Sequence, residues 1–321
     1  MQILSDKIKI ACIPIVIALI GSITSFTYWK ALTYKEYGYI GRTVKANTRD
    51  LIASAEKLIS DRILSLQRIA GRWITRGGTP KDEWRADTHN YRVHHADIEA
   101  IAWIDPSFYV CWTEPTEGNE KIQDINLAFE KETRVTMEEA KEHNKITVSH
   151  TIDLMHEGKG FLVFLPLYIQ ERFDGFILGV FQIQKIFDLS LSTDIQTNYA
   201  IVVSEDNERI YSHNESDFSQ TSNLTQSSAI EFYNTKWHVH ITPRPEFIDR
   251  IRSNTPETAL FVGLAISFLL AAITYLYQRN ALSEKVLKQR EENLKAAQQI
   301  AHIGSWEWNI IDDSETWTDE Q

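Results

Sequence analysis

Ten histidines stand in this chain, and their spacing is the first test of whether it does chemistry. His238 and His240 lie two apart in the β-like run from Lys236 to Thr242 and would share one face of a strand. Such a pair can hold zinc, but no third ligand follows at a recognisable spacing. His94 and His95 are adjacent and would point apart on a strand. His156-Glu157-Gly158 lacks the second histidine of a zinc-protease helix. The sequence has no glycine-rich phosphate loop, no nucleophile elbow and no kinase signature. The spacing thus predicts no catalytic constellation, no metal site and no cofactor. An enzymatic site assembled from distant residues is the alternative that spacing leaves open.

Composition narrows the class further. With 321 residues, of which 43% are hydrophobic, the chain is large enough for one or two domains with a real core. A formal charge of −11 argues against nucleic acid as a partner, because such proteins present a basic face to phosphates. Of the two cysteines, Cys12 lies in an apolar segment and Cys111 far from it, so no disulfide framework is expected.

Two stretches predict membrane helices. Ile10 to Trp29 and Ala259 to Tyr277 carry no charge and approach the roughly 20 residues that cross a bilayer core. The first could instead be a signal peptide, but its apolar run is long for one and no small-residue cleavage site follows. Tyr28, Trp29, Tyr275 and Tyr277 stand at segment ends, where aromatic rings favour the interface. Lys7 and Lys9 precede the first segment, and Arg279, Lys285, Lys288, Arg290 and Lys295 follow the second. The positive-inside rule then places both termini in the cytoplasm and the intervening chain outside, although Arg250 and Arg252 run against it. The expected plan is a cytoplasmic residue 1–9 segment, membrane helices at 10–29 and 258–278, and an outer domain at 30–257. The protein is then a multi-pass protein of the cell membrane, the inner one in a Gram-negative cell.

The outer domain is organised around Lys159 to Gln182. Two apolar runs, Phe161 to Tyr168 and Gly175 to Phe181, flank polar Gln170, Glu171, Arg172 and Asp174, which predicts a hairpin at the centre of a sheet. Near-continuous hydrophobicity requires cover on both faces, and Pro166 predicts a bulge or an unpaired edge. Before it, Thr43 to about Thr75 predicts a long helix. Its stripe of Ile52, Ala55, Ile59, Ile63, Leu66, Ala70 and Trp73 suits either a dimer seam or a cover for the domain's own sheet. Gly77 to Pro80 ends that helix. Ile98 to Pro106 and Phe108 to Thr113 form a second hairpin, Leu127 to Asn144 a helix, and Lys145 to Asp153 a return to strand. After the centre come a short helix from Ile183 to Leu191, strands at 199–204, 209–212 and 236–242, and a polar loop at 214–228. The fold class is α+β, a long helix with antiparallel sheets and short connecting helices.

The segments from Ala140 to Gln170, Gly175 to Asp188 and Tyr199 to His213, with Pro166 and Tyr168 in the apolar strand and Gly160 before it, resemble the extracytoplasmic CHASE domain of bacterial sensor kinases and plant cytokinin receptors. The resemblance covers roughly residues 90–213. It implies PAS-like sheet subdomains, here within 90–245, carried on a long helix, and a small ligand bound between a sheet and the segments leading into the central hairpin. On this sequence that pocket would draw on Trp103, Trp112, Thr147, Asp153, Phe164, Leu165 and Tyr168. Ordinary core packing is the plainer reading of the aromatic members.

Residues 280–299 are charged, free of Gly and Pro, and predict a helix continuing from the second membrane segment into the cytoplasm. Ala301-His302-Ile303-Gly304, followed by Trp306, Trp308 and Trp317 on two short strands, resembles the opening of a cytoplasmic PAS domain. Two strands cannot bury three tryptophans, so the chain is expected to be the front part of a longer protein. The expected function is the input half of a homodimeric membrane receptor that senses a small molecule. Its output would be a histidine kinase of a two-component system or, alternatively, a diguanylate cyclase or phosphodiesterase. A doubly anchored solute-binding ectodomain is the reading from another class.

Overall fold

A computed structural model describes residues 2–120, 122–154, 158–218, 223–301 and 306–317. The chain divides into two compact units, Tyr37–Arg252, and Met1–Glu36 together with Ser253–Gln321.

The larger unit is an α+β body of two antiparallel sheets. Its elements begin with the second half of helix α1 (Gln2–Arg76), which Gly77 and Gly78 end by taking positive φ. Helix α2 (Lys81–His94) follows and was not expected, because it is polar nearly all round and buries only Trp84 and Thr88. Strands β1 (Ile98–Ile104) and β2 (Val110–Glu114) form the first hairpin, whose turn is held by Asp105 Oδ1 accepting from the backbone N–H groups of Ser107 and Tyr109. A 3-10 turn (Leu127–Phe129) leads into α3 (Lys131–His143), which ends at left-handed Asn144. Two short strands, β3 (Thr147–Val148) and β4 (Ile152–Asp153), precede the central pair β5 (Lys159–Ile169) and β6 (Arg172–Gln182).

The six-stranded sheet runs β2-β1-β6-β5-β3, with β4 also on β5. The central hairpin therefore sits in the middle, as its continuous hydrophobicity requires. Its turn is only Gln170-Glu171, both at positive φ, so Arg172 and Asp174 belong to the strand. The β5–β6 register slips between Pro166 and Tyr168, which is the bulge expected at the proline. Side chains alternate between two buried layers. Phe161, Val163, Leu165, Ile177 and Phe181 join the core on the α1 side, whereas Leu162, Phe164, Phe176 and Leu178 pack with Met137 and Ala140 of α3 on the other.

Short helices α4 (Ile183–Ser190) and α5 (Thr193–Asn198) connect to β7 (Tyr199–Glu205), β8 (Glu208–His213), β9 (Gln226–Phe232) and β10 (Thr235–Pro243). These form a four-stranded sheet in the order β8-β7-β10-β9. The expected polar loop at 214–228 is shorter than its composition suggested, since Gln226, Ser227 and Ser228 already pair with Ile241, His240 and Val239. Helix α6 (Pro245–Ile251) closes the unit.

The stripe on α1 is spent within the chain. Ala55, Ile59, Ile63, Leu66, Ala70 and Trp73 are all buried in the core that both sheets share, with Ile52 packed at its margin. Of the two roles the stripe allowed, the observed one is cover for the sheets. Asn47 Nδ2 donates to the Tyr199 hydroxyl of the four-stranded sheet at 2.7 Å, and burial pushes that phenol up to about 12. Further along, Arg62 Nε meets Asp97 Oδ2 at 2.7 Å, and Trp73 Nε1 donates to Asp174 at 2.7 Å. Gly179 of β6 has no room for a Cβ because Leu66 occupies the space, so a glycine is what lets α1 lie this close to the sheet. Between the sheets, Asn234 at the β9–β10 turn accepts from Val148 N and donates to Val148 O, both at 2.8 Å.

The smaller unit comprises the first part of α1, helix α7 (Thr255–Ala301) and a hairpin of β11 (Trp306–Asn309) and β12 (Ser314–Trp317). Both helices contain a stretch long and apolar enough to cross a membrane. They pack through a reciprocal pair of small residues, with Ser267 against Gly21 and Ser25 against Gly263. Each serine also donates to the carbonyl of the glycine one turn before it. Small residues at such a contact let the two helix backbones approach closely. Trp306 and Trp308 are exposed on the hairpin. The motif from His302 to Ser305 lies outside the described residues.

Candidate functional site

A cavity of about 180 Å³ opens between the α3 side of the six-stranded sheet and the chain that crosses it. Its floor is Ala100 and Ala102 of β1, Leu162 of β5, and Leu178 and Val180 of β6. These are neighbours by register, Ala102 opposite Leu178, and Ala100 and Leu162 both opposite Val180. The space exists because Ala100 and Ala102, two small residues on one face of β1, lie beside the larger Leu162, Leu178 and Val180. Asn119, Ile122, Leu127, Glu130 and Thr133 form one wall, and Ile152, Asp153 and Leu154 the other.

Polar groups are few and placed around that apolar floor. Thr113 stands opposite Ala102, so its side chain shares the cavity face. It is 5% exposed, and its hydroxyl has no hydrogen-bond partner. Asn119 Nδ2 donates to the Pro115 carbonyl at 3.0 Å, which fixes the loop it stands on. Thr133 Oγ1 donates to Glu130 Oε2 at 2.7 Å at the start of α3. Gln182 donates to Glu99. Lys159 Nζ lies 3.4 Å from Asp153 Oδ1 and bonds Glu208 as well, and these carboxylates hold the lysine above its ordinary pKa, the Glu208 hydrogen bond most of all.

Of the seven residues expected around a ligand, Asp153 lines this cavity. Phe164 belongs to the same buried layer and packs edge-on to Phe176, 6.0 Å between ring centres. Thr147 pairs with Phe164 and ties β3 to α3 by donating to the Thr136 carbonyl. Tyr168 donates to the Lys141 carbonyl at 2.5 Å beside Phe173. Leu165 faces α1 instead, and so do Trp103 and Trp112, which stack with Trp73 in a four-tryptophan cluster that includes Trp84. The division follows from the strand period, since Phe164 and Leu165, or Ala102 and Trp103, cannot share a face. The signal that points to the cavity is the Ala100-Ile101-Ala102 triplet, small on one face and large on the other.

The histidine pairs do not converge. His240 Nδ1 lies 2.8 Å from Ser227 Oγ on the outer side of β10, and its pKa is lowered by burial and by His238. His94 Nδ1 bonds its own helix at Asn90 O. His156 and Glu157 lie outside the described residues. Among the described residues, no three His, Cys, Asp or Glu side chains are grouped to hold a metal ion. Cys111 is free, and burial together with Asp105 and Asp124 pushes its thiol up, away from reactivity.

Residues 73–223 match the CHASE domain family. Every residue lining the cavity, from Glu99 to Val180, falls inside the CHASE match. No curated protein sequence matches the chain. Among solved structures, similarity extends to an extracellular ligand binding receptor from Desulfohalobium retbaense (14% identity, TM-score 0.49), over 60% of this chain and 39% of that one. The chain thus spans well under half of that receptor. The ligand binding domain of the Pseudomonas aeruginosa amino acid chemoreceptor PctB in complex with L-Gln aligns over 69% of this chain and 98% of its own (12% identity, TM-score 0.49). The periplasmic sensory domain of the Campylobacter jejuni chemoreceptor Tlp1 covers 69% and 99% (12% identity, TM-score 0.47).

Proposed function

We propose that this chain is the input part of a transmembrane receptor, with an extracytoplasmic sensor domain that binds a small molecule in the cavity over the six-stranded sheet. The observation that carries this reading is the cavity itself, an apolar floor with a few polar groups inside the region that matches the CHASE domain. The floor of the cavity and the seat of α1 are two faces of one sheet, so a ligand that reshapes the floor acts on the helix beneath it. The apolar stretches of α1 and α7 span the cell membrane in this reading, and both carry their large apolar side chains outward, as at Leu19, Ile23, Phe268 and Leu269.

Signal transfer needs only that the ligand bind one arrangement of the domain better than another. The receptor works as a homodimer through a face of α1 other than the buried stripe, and the hairpin at 306–317 opens a PAS domain that leads to a histidine kinase. The test is a thermal-shift screen of the whole chain in detergent against small metabolites. A ligand present at a hundredfold over its dissociation constant adds about 2.7 kcal/mol to the folded state. A hit that disappears in Ala102→Phe supports the reading. A hit that persists in that variant places the ligand elsewhere, and the absence of any hit favours a protein or the membrane as the stimulus.

A further inference from the structure

The cavity sets the size of its occupant and one polar contact, granted the reading above that it is a ligand site. Its floor is aliphatic, and its volume of about 180 Å³ is close to the roughly 150 Å³ of an apolar cavity that takes up benzene. The body of the occupant is therefore hydrocarbon and about one ring in size. Glu130 and Asp153 are exposed to water and already met by the protein, Glu130 accepting from Thr133 and Asp153 facing Lys159 at 3.4 Å. They make no separate demand on the ligand.

One polar group of the lining is left over. Among the described residues, Thr113 Oγ1 is the buried side-chain polar atom on this lining that lacks a hydrogen-bond partner. Thr113 is 5% exposed, and an unmet polar group at such depth is a state that folded proteins avoid. Its place on the lining comes from an irregularity in the first hairpin. Trp112 lies opposite Trp103 and Val110 opposite Ile104, so β2 carries Cys111 as one residue more than its partner strand. In a regular strand Val110 and Thr113, three apart, would face opposite sides, whereas across this bulge both line the cavity. We propose that the cavity binds an uncharged molecule with a hydrocarbon body of about one ring and one hydroxyl or carbonyl group, and that this group hydrogen-bonds Thr113 Oγ1. The group is uncharged because a single threonine hydroxyl does not offset the cost of taking an ion out of water.

The test is calorimetric titration of the whole chain in lipid nanodiscs, with Ala102→Phe nanodiscs as the blank for uptake by lipid. The probes are benzyl alcohol, its isostere ethylbenzene, the cation benzylammonium and the larger 1-naphthalenemethanol. Benzyl alcohol and ethylbenzene are expected to bind the native chain above the blank. Thr113→Val should weaken benzyl alcohol by about two- to tenfold, the worth of one hydrogen bond, and leave ethylbenzene as tight or tighter. Equal weakening of both probes overturns the contact with Thr113 and leaves the cavity standing as a ligand site. Without ligand, Thr113→Val should melt no lower than the native chain, since it removes a hydroxyl that has no partner. A lower melting temperature means that the hydroxyl is already satisfied, which also overturns that contact. Benzylammonium should bind more weakly than the alcohol, and 1-naphthalenemethanol should not exceed the blank. Tighter binding of the cation overturns the uncharged ligand, and binding of the naphthalene overturns its size. If neither benzyl alcohol nor ethylbenzene exceeds the blank, the proposal and the reading of the cavity as a ligand site both fall.

Discussion

The two sheets of the larger unit are built from the same antiparallel pairing but are covered differently. In the six-stranded sheet β5 is buried without a break from Gly160 to Leu165, with α1 on one face and α3 on the other. In the four-stranded sheet the pattern alternates. Trp237, Val239 and Ile241 of β10 are in the core, while Lys236 and His238 are exposed. A sheet covered on one side has no second buried layer in which to leave a gap. The doubly covered sheet does, and its gap is where Ala100 and Ala102 meet chain that is too far away to fill it. The cavity thus belongs to one of two sheets that share one helix.

That contrast can be broken most severely at the charge that fastens α1 to the first strand. Asp97 has no exposed surface, and Arg62 is its ion-pair partner at 2.7 Å. Arg62→Leu leaves a buried carboxylate unpaired and should cost about 3–5 kcal/mol in urea unfolding. A loss below about 1 kcal/mol, the range of exposed pairs, would show that the helix is held by apolar packing alone.

A sharper comparison places the same side chain on each sheet. Val239→Phe enters the filled side of the four-stranded sheet and should destabilise by about 1–3 kcal/mol through overpacking. Ala102→Phe enters the cavity and should leave stability within about 1 kcal/mol of the native chain, because it fills space rather than displacing neighbours. Equal penalties in chemical denaturation would mean that the gap is closed in solution.

The link between the sheets should respond on a similar scale to the overpacked site, at its lower end. Asn234→Ala removes both hydrogen bonds to Val148 and leaves its N–H and C=O unsatisfied, at a cost of about 1–2 kcal/mol. Hydrogen exchange at Val148 is the direct measurement, and unchanged protection would assign the link to Phe161 against Trp237 instead.

The smallest effect is on pH. Burial and Arg62 lower the pKa of His95 from 6.5, with Asp97 pulling the other way. The folded state therefore prefers the neutral ring. Its contribution is complete above 6.5 and is lost as pH falls through that value toward the folded pKa. The melting temperature should drop modestly from about pH 7.5 to about 5.5, and His95→Gln should flatten part of that slope.

The central hairpin could be read from residues because its two runs have no polar interruption, and the bulge because Pro166 has no N–H to give a neighbour. Helix α2 could not, since a helix that buries only Trp84 and Thr88 leaves no apolar period in the sequence. The start of β9 was hidden for the opposite reason. Gln226, Ser227 and Ser228 are loop-like in composition and become strand by pairing with β10. The candidate site was only partly visible because large aromatic residues draw attention, whereas a cavity is made by the small ones. Trp103 and Trp112 fill the α1 side, and the space lies over Ala102. The parity of each strand was in the sequence, but which face carried the gap depended on where Asn119, Ile122, Leu127 and Thr133 cross the sheet.

The amide of Asn234 has a meaning beyond joining two sheets. Strand β3 is outermost on the β5 side, and an outermost strand offers its N–H and C=O to any passing chain. At Val148 one side chain takes both groups, doing with a single residue what a further strand would do with several. A further strand cannot extend the sheet at that point, so Asn234 closes this edge as well as joining the sheets.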